Sequence, residues 1–386
     1  MAFIPQMPTE NPPQFLVGIC GTPHELHRLG VPMKFHISVN MERYSPSDDM
    51  RAVGQHALEM VQVAERVGFE TAWAAEHHTN ELIVAPNPFL ILSHWAHHTS
   101  RIRLGTGVAV APYWHPIKLA EEAALLDLFS NGRLDFGVGS GAFQYEFDRM
   151  RPGLDQKDGY LYLQEIVPAV EALWQGDYAH DGKFWQFPTA TSVPKPVQKP
   201  APPIWITARS PLTYDWAVPR GYNIICWPIT RPFAELEAYR QRFDGALKRL
   251  ASGQPRPRFA AMRHTAVYER AEDWETPVDA IALWSGRFAN LFSTAGSVKN
   301  GFVPPVDLAE IKSRDNFNAH ELRENLMFGT PGEVIAKLKR YETIGVDTFV
   351  YYTSFGRDWK SERLSLELFA SEVMPAFTAA TRAAAV

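Results

Sequence analysis

Three ionisable side chains, Glu76, His77 and His78, stand together directly after the apolar run 71–75. A histidine at the end of a strand can exchange a proton near neutral pH and so act at a reacting centre. Successive strand side chains point to opposite faces, so at most one of the two histidines faces a common site. A barrel hydrolase would need His-x-His, which is missing here. We therefore expect proton transfer by one histidine; a histidine bonded to neighbouring backbone is the alternative.

A cation and two hydroxyls follow a later apolar run, at Arg209, Ser210 and Thr213, with Pro211 at the first position of a predicted helix. Free N–H groups at the helix start, the helix dipole, the guanidinium and the hydroxyls together suit a phosphate. Phosphate sites of barrel enzymes favour the later strands. Ordinary helix capping is the alternative explanation of these residues.

The glycine-rich run 137–142 (GVGSGA) formally matches the dinucleotide-binding fingerprint. That fingerprint requires a helix and a second strand within about 30 residues. Here a predicted helix at 158–174 is followed by no strand-like segment before residue 183. We therefore expect a glycine-rich turn that lets a flat ring approach the backbone, and no nicotinamide site.

Four aromatic residues lie at predicted strand ends or in the loops after them: Trp114, Phe143, Trp227 and Tyr352. Each alone could be a core residue, but together they would line an apolar pocket. The three histidines of the predicted helix 89–98 have a spacing that could ligate a metal. No carboxylate or cysteine joins them, so we expect a solvated helix face and no metal site.

The elements that must position these residues alternate regularly. Predicted strands begin near residues 33, 69, 101, 133, 203, 222, 259 and 347, each followed by a helix. This pattern predicts an α/β fold, a (β/α)8 TIM barrel; a doubly wound open sheet is the alternative. The barrel is favoured because the candidate residues come from many strand ends. We expect an extension at 1–32, a single domain at 33–386, and a strand-free, lid-like insertion at 269–329.

Composition narrows the class of protein. The 386 residues are 46% hydrophobic and 21% charged, with a net charge of -5, which disfavours nucleic acid as a partner. No apolar run approaches the roughly 20 residues of a membrane span, and the first residues do not resemble an export signal. Two distant cysteines, Cys20 and Cys226, suit a reducing cytosol. We therefore expect a cytoplasmic enzyme without membrane contact.

From Met33 to Phe377 the chain resembles the bacterial luciferase-like family of flavin-dependent monooxygenases. Four segments carry the resemblance: GFETAWAAEHH, RIRLGTGVAVAPYWHPIKLAEEAALLDLFSNGRLDFGVGSG, PKPVQKPAPPIWITARSP and GTPGEVIAKLKRYETIGVDTFV. Each segment alone is weak evidence, and together they are specific. The family is a (β/α)8 barrel that binds reduced FMN or, in another branch, the deazaflavin F420.

The resemblance assigns roles by position. It implies that His77 lies beside the reactive edge of the flavin and that Gly107-Val108 forms a cis peptide under the ring. It places Gly139 and Ser140 at a further flavin-contacting strand end. Arg209, Ser210 and Thr213 fall at the phosphate-binding turn.

The chain departs from luciferase at two of these places. Luciferase has a Cys-Arg pair at Gly139-Ser140 and a glutamate at Arg209. Either the positive partner of the phosphate has moved to Arg209, or the cofactor differs.

The resemblance implies a two-component monooxygenase. Reduced FMN from a separate NAD(P)H:flavin reductase would react with O2 to a C4a-peroxyflavin, which oxygenates a small, largely apolar or aromatic substrate. A homodimer or higher homo-oligomer is expected. The alternatives are hydride transfer with F420, a non-catalytic flavin-binding protein, and a metal-dependent barrel hydrolase.

Overall fold

Parallel strands close into a barrel in the computed structural model, which describes residues 32–292, 298–314 and 317–377. The predicted extension at 1–32 lies outside the described residues apart from Pro32. In chain order the strands are β1 (Lys34–Ser38), β2 (Thr71–Ala74), β3 (Arg103–Thr106), β4 (Ala109–Val110), β5 (Leu134–Gly139), β6 (Tyr178–Asp181), β7 (Gln186–Ala190), β8 (Ile204–Thr207), β9 (Asn223–Cys226), β10 (Phe259–Val267), β11 (Met327–Gly329) and β12 (Thr348–Tyr352).

Eight of these strands form the barrel wall, in the order β1, β2, β3, β5, β8, β9, β10 and β12. The ring closes because β12 pairs in parallel with both β10 and β1. An open doubly wound sheet would leave two edge strands. The predicted TIM barrel is therefore confirmed, and all eight predicted strands belong to its wall.

Helices surround the wall: α1 (Met50–Val67), α2 (Pro88–His98), α3 (Pro116–Phe129), α4 (Gln144–Met150), α5 (Gly159–Gln175), α6 (Pro211–Ala217), α7 (Phe233–Leu247), α8 (Glu275–Phe292), α9 (Leu308–Lys312), α10 (Ala319–Asn325), α11 (Pro331–Thr343) and α12 (Trp359–Leu368). Short 3-10 turns include 111–113, 156–158, 218–220, 271–274 and 374–377, with a π-helical turn at 369–373. Among the described helices, none combines the length and the apolar character that a membrane span requires.

Local chemistry explains where α1 begins and ends. The side chain of Asp49 accepts a hydrogen bond from the N–H of Arg51, which caps the helix start. Gly68 ends the helix in the left-handed conformation, with φ at 97°. Apolar residues on one face of α1 pack in the main hydrophobic core. This packing sets the position along the barrel axis at which β2 begins.

The barrel interior holds two tryptophans, Trp73 and Trp205, whose rings meet edge to face at 5.5 Å. A Cβ on Gly105 would lie 2.1 Å from the ring of Trp73. Gly105 is therefore required by close packing of an indole against the β3 backbone, rather than by a turn.

The insertion at 269–329 packs onto the C-terminal end of the barrel. Its helices α8, α9 and α10 join barrel residues such as Ile83 and Phe143 in a second hydrophobic cluster. The expectation that the insertion contains no strand is wrong at β11, which pairs with the extended end of β10. Three residues are too few for a periodic pattern to show.

Candidate functional site

A cavity of about 470 Å³ opens at the C-terminal end of the barrel, a volume usual for small-molecule sites. Ten of the twelve predicted site residues line it: His77, Gly107, Val108, Ser140, Phe143, Arg209, Ser210, Thr213, Trp227 and Tyr352. They come from the ends of six wall strands or the segments after them. The barrel therefore brings together residues that are up to 275 positions apart (352 minus 77).

Two predicted site residues do not line this cavity. Trp114 is buried and donates its indole N–H to Oε2 of Glu76 at 2.8 Å, so it packs behind the wall. Gly139 lies beneath the surface, where an added Cβ would meet Val108 at 2.6 Å and Thr207 at 2.7 Å. Position at a strand end does not determine whether a residue reaches the cavity surface, and this explains both cases.

The two histidines after β2 take different partners. Nδ1 of His77 lies 2.9 Å from Oε1 of Glu146, and His77 lines the cavity. Nε2 of His78 lies 3.0 Å from Oε1 of Glu76, and His78 does not line the cavity. Only one histidine lines the cavity, as expected, but strand alternation is not the reason, because β2 ends at Ala74 and the consecutive residues 75–77 all line the cavity.

Glu146 is a site residue that the sequence analysis missed. It is 1% exposed, and its Oε1 also accepts from the N–H of His78 at 3.1 Å and from the amide of Asn80 at 3.2 Å. Because this oxygen is the acceptor of those bonds, we assign the proton of the His77 contact to Nδ1. The Nε2 of His77 makes no hydrogen bond with any described residue. The sequence signal that could have identified Glu146 is its position in the first turn of a helix that follows a glycine-rich strand end.

The peptide between Gly107 and Val108 is cis, as the resemblance implies. It joins β3 to β4, and both residues line the cavity. An added Cβ on Gly107 would lie 3.1 Å from Cβ of Trp73. The position of this peptide is therefore set by its packing against Trp73 in the barrel core.

One end of the cavity is polar and open. Arg209 and Ser210 are exposed, and Ser210 makes no side-chain capping bond to α6. Lys157 and Tyr160, which the sequence analysis missed, line the same cavity. Within the described residues, Arg209 and Lys157 form no ion pair. The sequence signal for Lys157 was weak, because this residue stands in a short 3-10 turn far from any strand end.

The other end is aromatic. Phe288 of α8 contacts Phe143 at 5.1 Å and Trp227 at 5.5 Å between ring centroids. Tyr352 accepts a hydrogen bond from the amide of Asn40 at 2.6 Å. Burial raises the pKa of Tyr352 well above its usual value, with a further contribution from the charge of Glu42, so the phenol stays neutral. Phe288 was missed because the site candidates were taken from predicted strand ends, and Phe288 lies on a helix.

No group of three or more His, Cys, Asp or Glu side chains suited to a metal ion occurs in the described ranges 32–292, 298–314 and 317–377. The histidines His94, His97 and His98 lie on an exposed face of α2. Their rings contact one another at 4.8 and 5.1 Å.

The chain was compared with known protein families and with individual proteins. The family described as luciferase-like monooxygenase matches residues 33–348. The oxygenase component of the flavin-dependent trigonelline monooxygenase of Acinetobacter baylyi is 38% identical over 346 residues, which are 90% of this chain and 96% of that protein.

Two solved structures share the fold. Monooxygenase RslO1 from Streptomyces bottropensis has a TM-score of 0.74 at 24% identity and covers 90% of this chain and 100% of its own. The oxygenating constituent of 3,6-diketocamphane monooxygenase from Pseudomonas putida, in complex with FMN, has a TM-score of 0.70 at 20% identity, over 89% and 98%. The predicted class, a flavin-dependent monooxygenase or oxidoreductase, is confirmed. The chain belongs to the luciferase-like monooxygenase family.

Proposed function

We propose that this chain is the oxygenase component of a two-component monooxygenase that uses reduced FMN and O2 to oxygenate a small, largely apolar or aromatic substrate. The observation that carries the proposal is that one cavity is lined by exposed cationic and hydroxyl side chains, by a series of aromatic rings, and by His77 and the backbone at Gly107-Val108. Its two ends suit a phosphate and an organic ring.

The polar end fits the phosphate of FMN. Arg209 and Lys157 present two cations, and the hydroxyls of Ser210 and Thr213 form no hydrogen bond with any described residue. Guanidinium and hydroxyl donors are the usual partners of a phosphate oxygen. This set replaces the arginine that luciferase carries at the position of Ser140.

The wall at Val108 and Ser140 fits a flat ring. Val108 and Gly139 pack closely, because a Cβ on Gly139 would come within 2.6 Å of the valine. A larger residue at position 139 would push Val108 into the cavity. Val108 and Ser140 would contact the flavin from the wall, while Gly139 supports them from behind.

His77 would hold or donate a proton at the reacting centre. The Glu146 contact fixes the proton of Nδ1, so that Nε2 is the ring nitrogen left to exchange protons with ligands in the cavity. Reduced FMN, when bound, would supply the electrons for oxygen activation.

The insertion would keep water from the aromatic end. Phe288 closes the wall between Phe143 and Trp227, and Trp284 stacks on Phe288 at 4.6 Å. Excluding water protects a reactive intermediate from hydrolysis and proton leakage. The lid-like role predicted for 269–329 is part of this proposal.

The relative from Acinetobacter baylyi is named for trigonelline, an N-methylated pyridine carboxylate. Trigonelline is therefore the first substrate to test, and its flat ring suits the aromatic end. We also propose a separate NAD(P)H:flavin reductase as partner, a homodimer or higher homo-oligomer, and a cytoplasmic location.

The experiment is an anaerobic titration of the purified chain with reduced FMN and, in parallel, with reduced F420, followed by admission of O2 with and without trigonelline. We expect tight binding of reduced FMN and substrate-dependent O2 consumption with an oxygenated product. Tight F420 binding without a reaction with oxygen would contradict the proposal and favour hydride transfer. FMN binding with no product from a substrate panel would favour a non-catalytic flavin-binding protein.

A further inference from the structure

Five rings form a continuous series along the cavity wall, which we call the aromatic arc: His77, Phe143, Phe288, Trp227 and Tyr352. Neighbouring centroids in this order lie 5.2, 5.1, 5.5 and 5.4 Å apart. All five side chains line the same cavity. The arc is built from four barrel strand ends and the insertion, so it forms only in the folded chain.

Buried carboxyl groups lie on the cavity wall near the arc, whereas the buried arginines Arg263 and Arg357 do not line the cavity. The buried ionisable side chains on the cavity wall include the carboxyl groups of Glu76 and Glu146, which are 3% and 1% exposed. Lys157 and Arg209 are the only lysine and arginine among the lining residues described, and both are exposed at the polar mouth. Solvent screens exposed charges strongly, so these cations act weakly on the arc.

The residue behind the arc adds no positive charge. His264 is fully buried and stacks on Tyr352, with centroids 4.2 Å apart and an angle of 17°. Burial lowers the pKa of His264 well below its usual value, and the charges of Arg263 and Arg357 lower it further. His264 is therefore neutral at physiological pH, and neither arginine lines the cavity.

The faces of aromatic rings attract cations, and the attraction grows when water is excluded. A flat ring with a fixed charge can contact several such faces at once. A neutral ring of the same shape gains the apolar and stacking contacts but lacks the attraction to the charge.

We propose that the aromatic arc is a subsite for an N-alkylated heteroaromatic cation and selects it over the neutral ring of the same shape. The inference rests on the proposed function, because it names the substrate class of that site. It is supported by trigonelline, the compound for which the 38% identical relative is named, which carries such a ring.

The test uses two pairs of ligands that differ in charge but hardly in shape. Trigonelline is paired with 3-methylbenzoate, and N-methylpyridinium with toluene. Calorimetric titration of the purified chain gives the dissociation constants of the four ligands, once with and once without oxidised FMN. In each pair we expect the ligand with the ring cation to bind about tenfold more tightly than the neutral ring.

A variant locates the selection. In Trp227→Leu an apolar side chain replaces the indole, and the ratio within each pair should fall to about twofold. Trp359→Leu is the matched control, because Trp359 is 46% exposed on α12 and does not line the cavity. It should keep the wild-type ratio.

Equal affinities within the pairs, tighter binding of the neutral rings, or no binding of any of the four ligands would overturn the proposal. A ratio that persists in Trp227→Leu would also overturn it, because the charge would then be recognised elsewhere. These measurements need neither reductant nor O2. A failure to consume O2 would therefore count against the oxygenase proposal alone.

Discussion

His77 and Glu146 are 69 residues apart in the chain and meet through a contact of 2.9 Å. The sequence marked His77 as a proton-transfer residue, but the partner that sets its tautomer became visible only in the fold. The sequence could not show this partner, because the ring nitrogen that is free to exchange a proton depends on which nitrogen a spatial neighbour binds.

Replacing His77 with alanine should lower the rate of oxygenation about 100-fold or more, the usual scale for loss of a general acid or base. The affinity for reduced FMN should stay nearly unchanged, because the phosphate is held at the other end of the cavity. Stopped-flow turnover and anaerobic titration measure the two quantities. His94→Ala, on the exposed face of α2, is the control. Unchanged turnover would remove His77 from the mechanism.

Glu146 is expected to act through His77 as a positioning residue. Glu146→Gln should lower kcat about tenfold while KM changes little. When Glu146→Gln is added to His77→Ala, kcat should fall hardly any further, since the effects of coupled residues are not additive. Additive losses in this cycle would show that Glu146 acts independently of the histidine.

Arg209 should matter for FMN but not for riboflavin, which lacks the phosphate. Arg209→Gln is expected to weaken FMN binding about tenfold, the scale of one lost charge-assisted hydrogen bond. Riboflavin titrated against the same variant is the matched control and should bind as in the wild type. Equal weakening for both flavins would argue against a phosphate contact at Arg209.

At the scale of elements, the insertion is tied to the barrel through Glu42, in the segment after β1. Its carboxyl accepts from the indole of Trp284 on α8 at 2.7 Å and from the N–H of Gly356 at 3.0 Å. Burial raises the pKa of Glu42 to about 8, and hydrogen bonds from Tyr44, Trp284 and Gly356 offset the effect only in part. The attachment of the insertion is therefore sensitive to pH.

The sign of that sensitivity follows from linkage. The folded chain holds the proton of Glu42 up to about pH 8, whereas the unfolded chain releases it near 4.5. The stability that the protonated carboxyl contributes is therefore full below about pH 4.5 and is lost as the pH rises to about 8. Glu42→Gln, which cannot ionise, should be more stable relative to wild type at pH 8.5 than at pH 5. Thermal unfolding at the two pH values measures this, and a pH-independent difference would contradict it.

At the scale of the whole molecule, the barrel depends on the fit between Trp73 and the glycines of its neighbouring strand. Gly105→Ala forces a Cβ to within 2.1 Å of the indole, so it should destabilise the fold by about 1–3 kcal/mol. Gly245→Ala is the control, because its added Cβ on α7 would meet no atom within 4 Å other than its own neighbouring backbone. There we expect stabilisation of about 0.5–1 kcal/mol. Thermal unfolding of both variants measures the contrast.

The sequence by itself determined the eight wall strands, the helices between them and the position of His77. These follow from local periodicity, from caps such as Gly68, and from motifs that lie within a few residues of one another. Ten of its twelve candidate site residues line the cavity, since the C-terminal ends of parallel strands meet at one end of a barrel.

Only the tertiary structure decided the rest. Pairing of β12 with β1 closed the barrel, and packing turned Trp114 away from the cavity while bringing Lys157 and Phe288 to it. Glu146 and Phe288 reach the site from helices, where no strand alternation marks the inward face. Contacts between residues far apart in sequence depend on how whole elements pack, and this information is not contained in the pattern of any one segment.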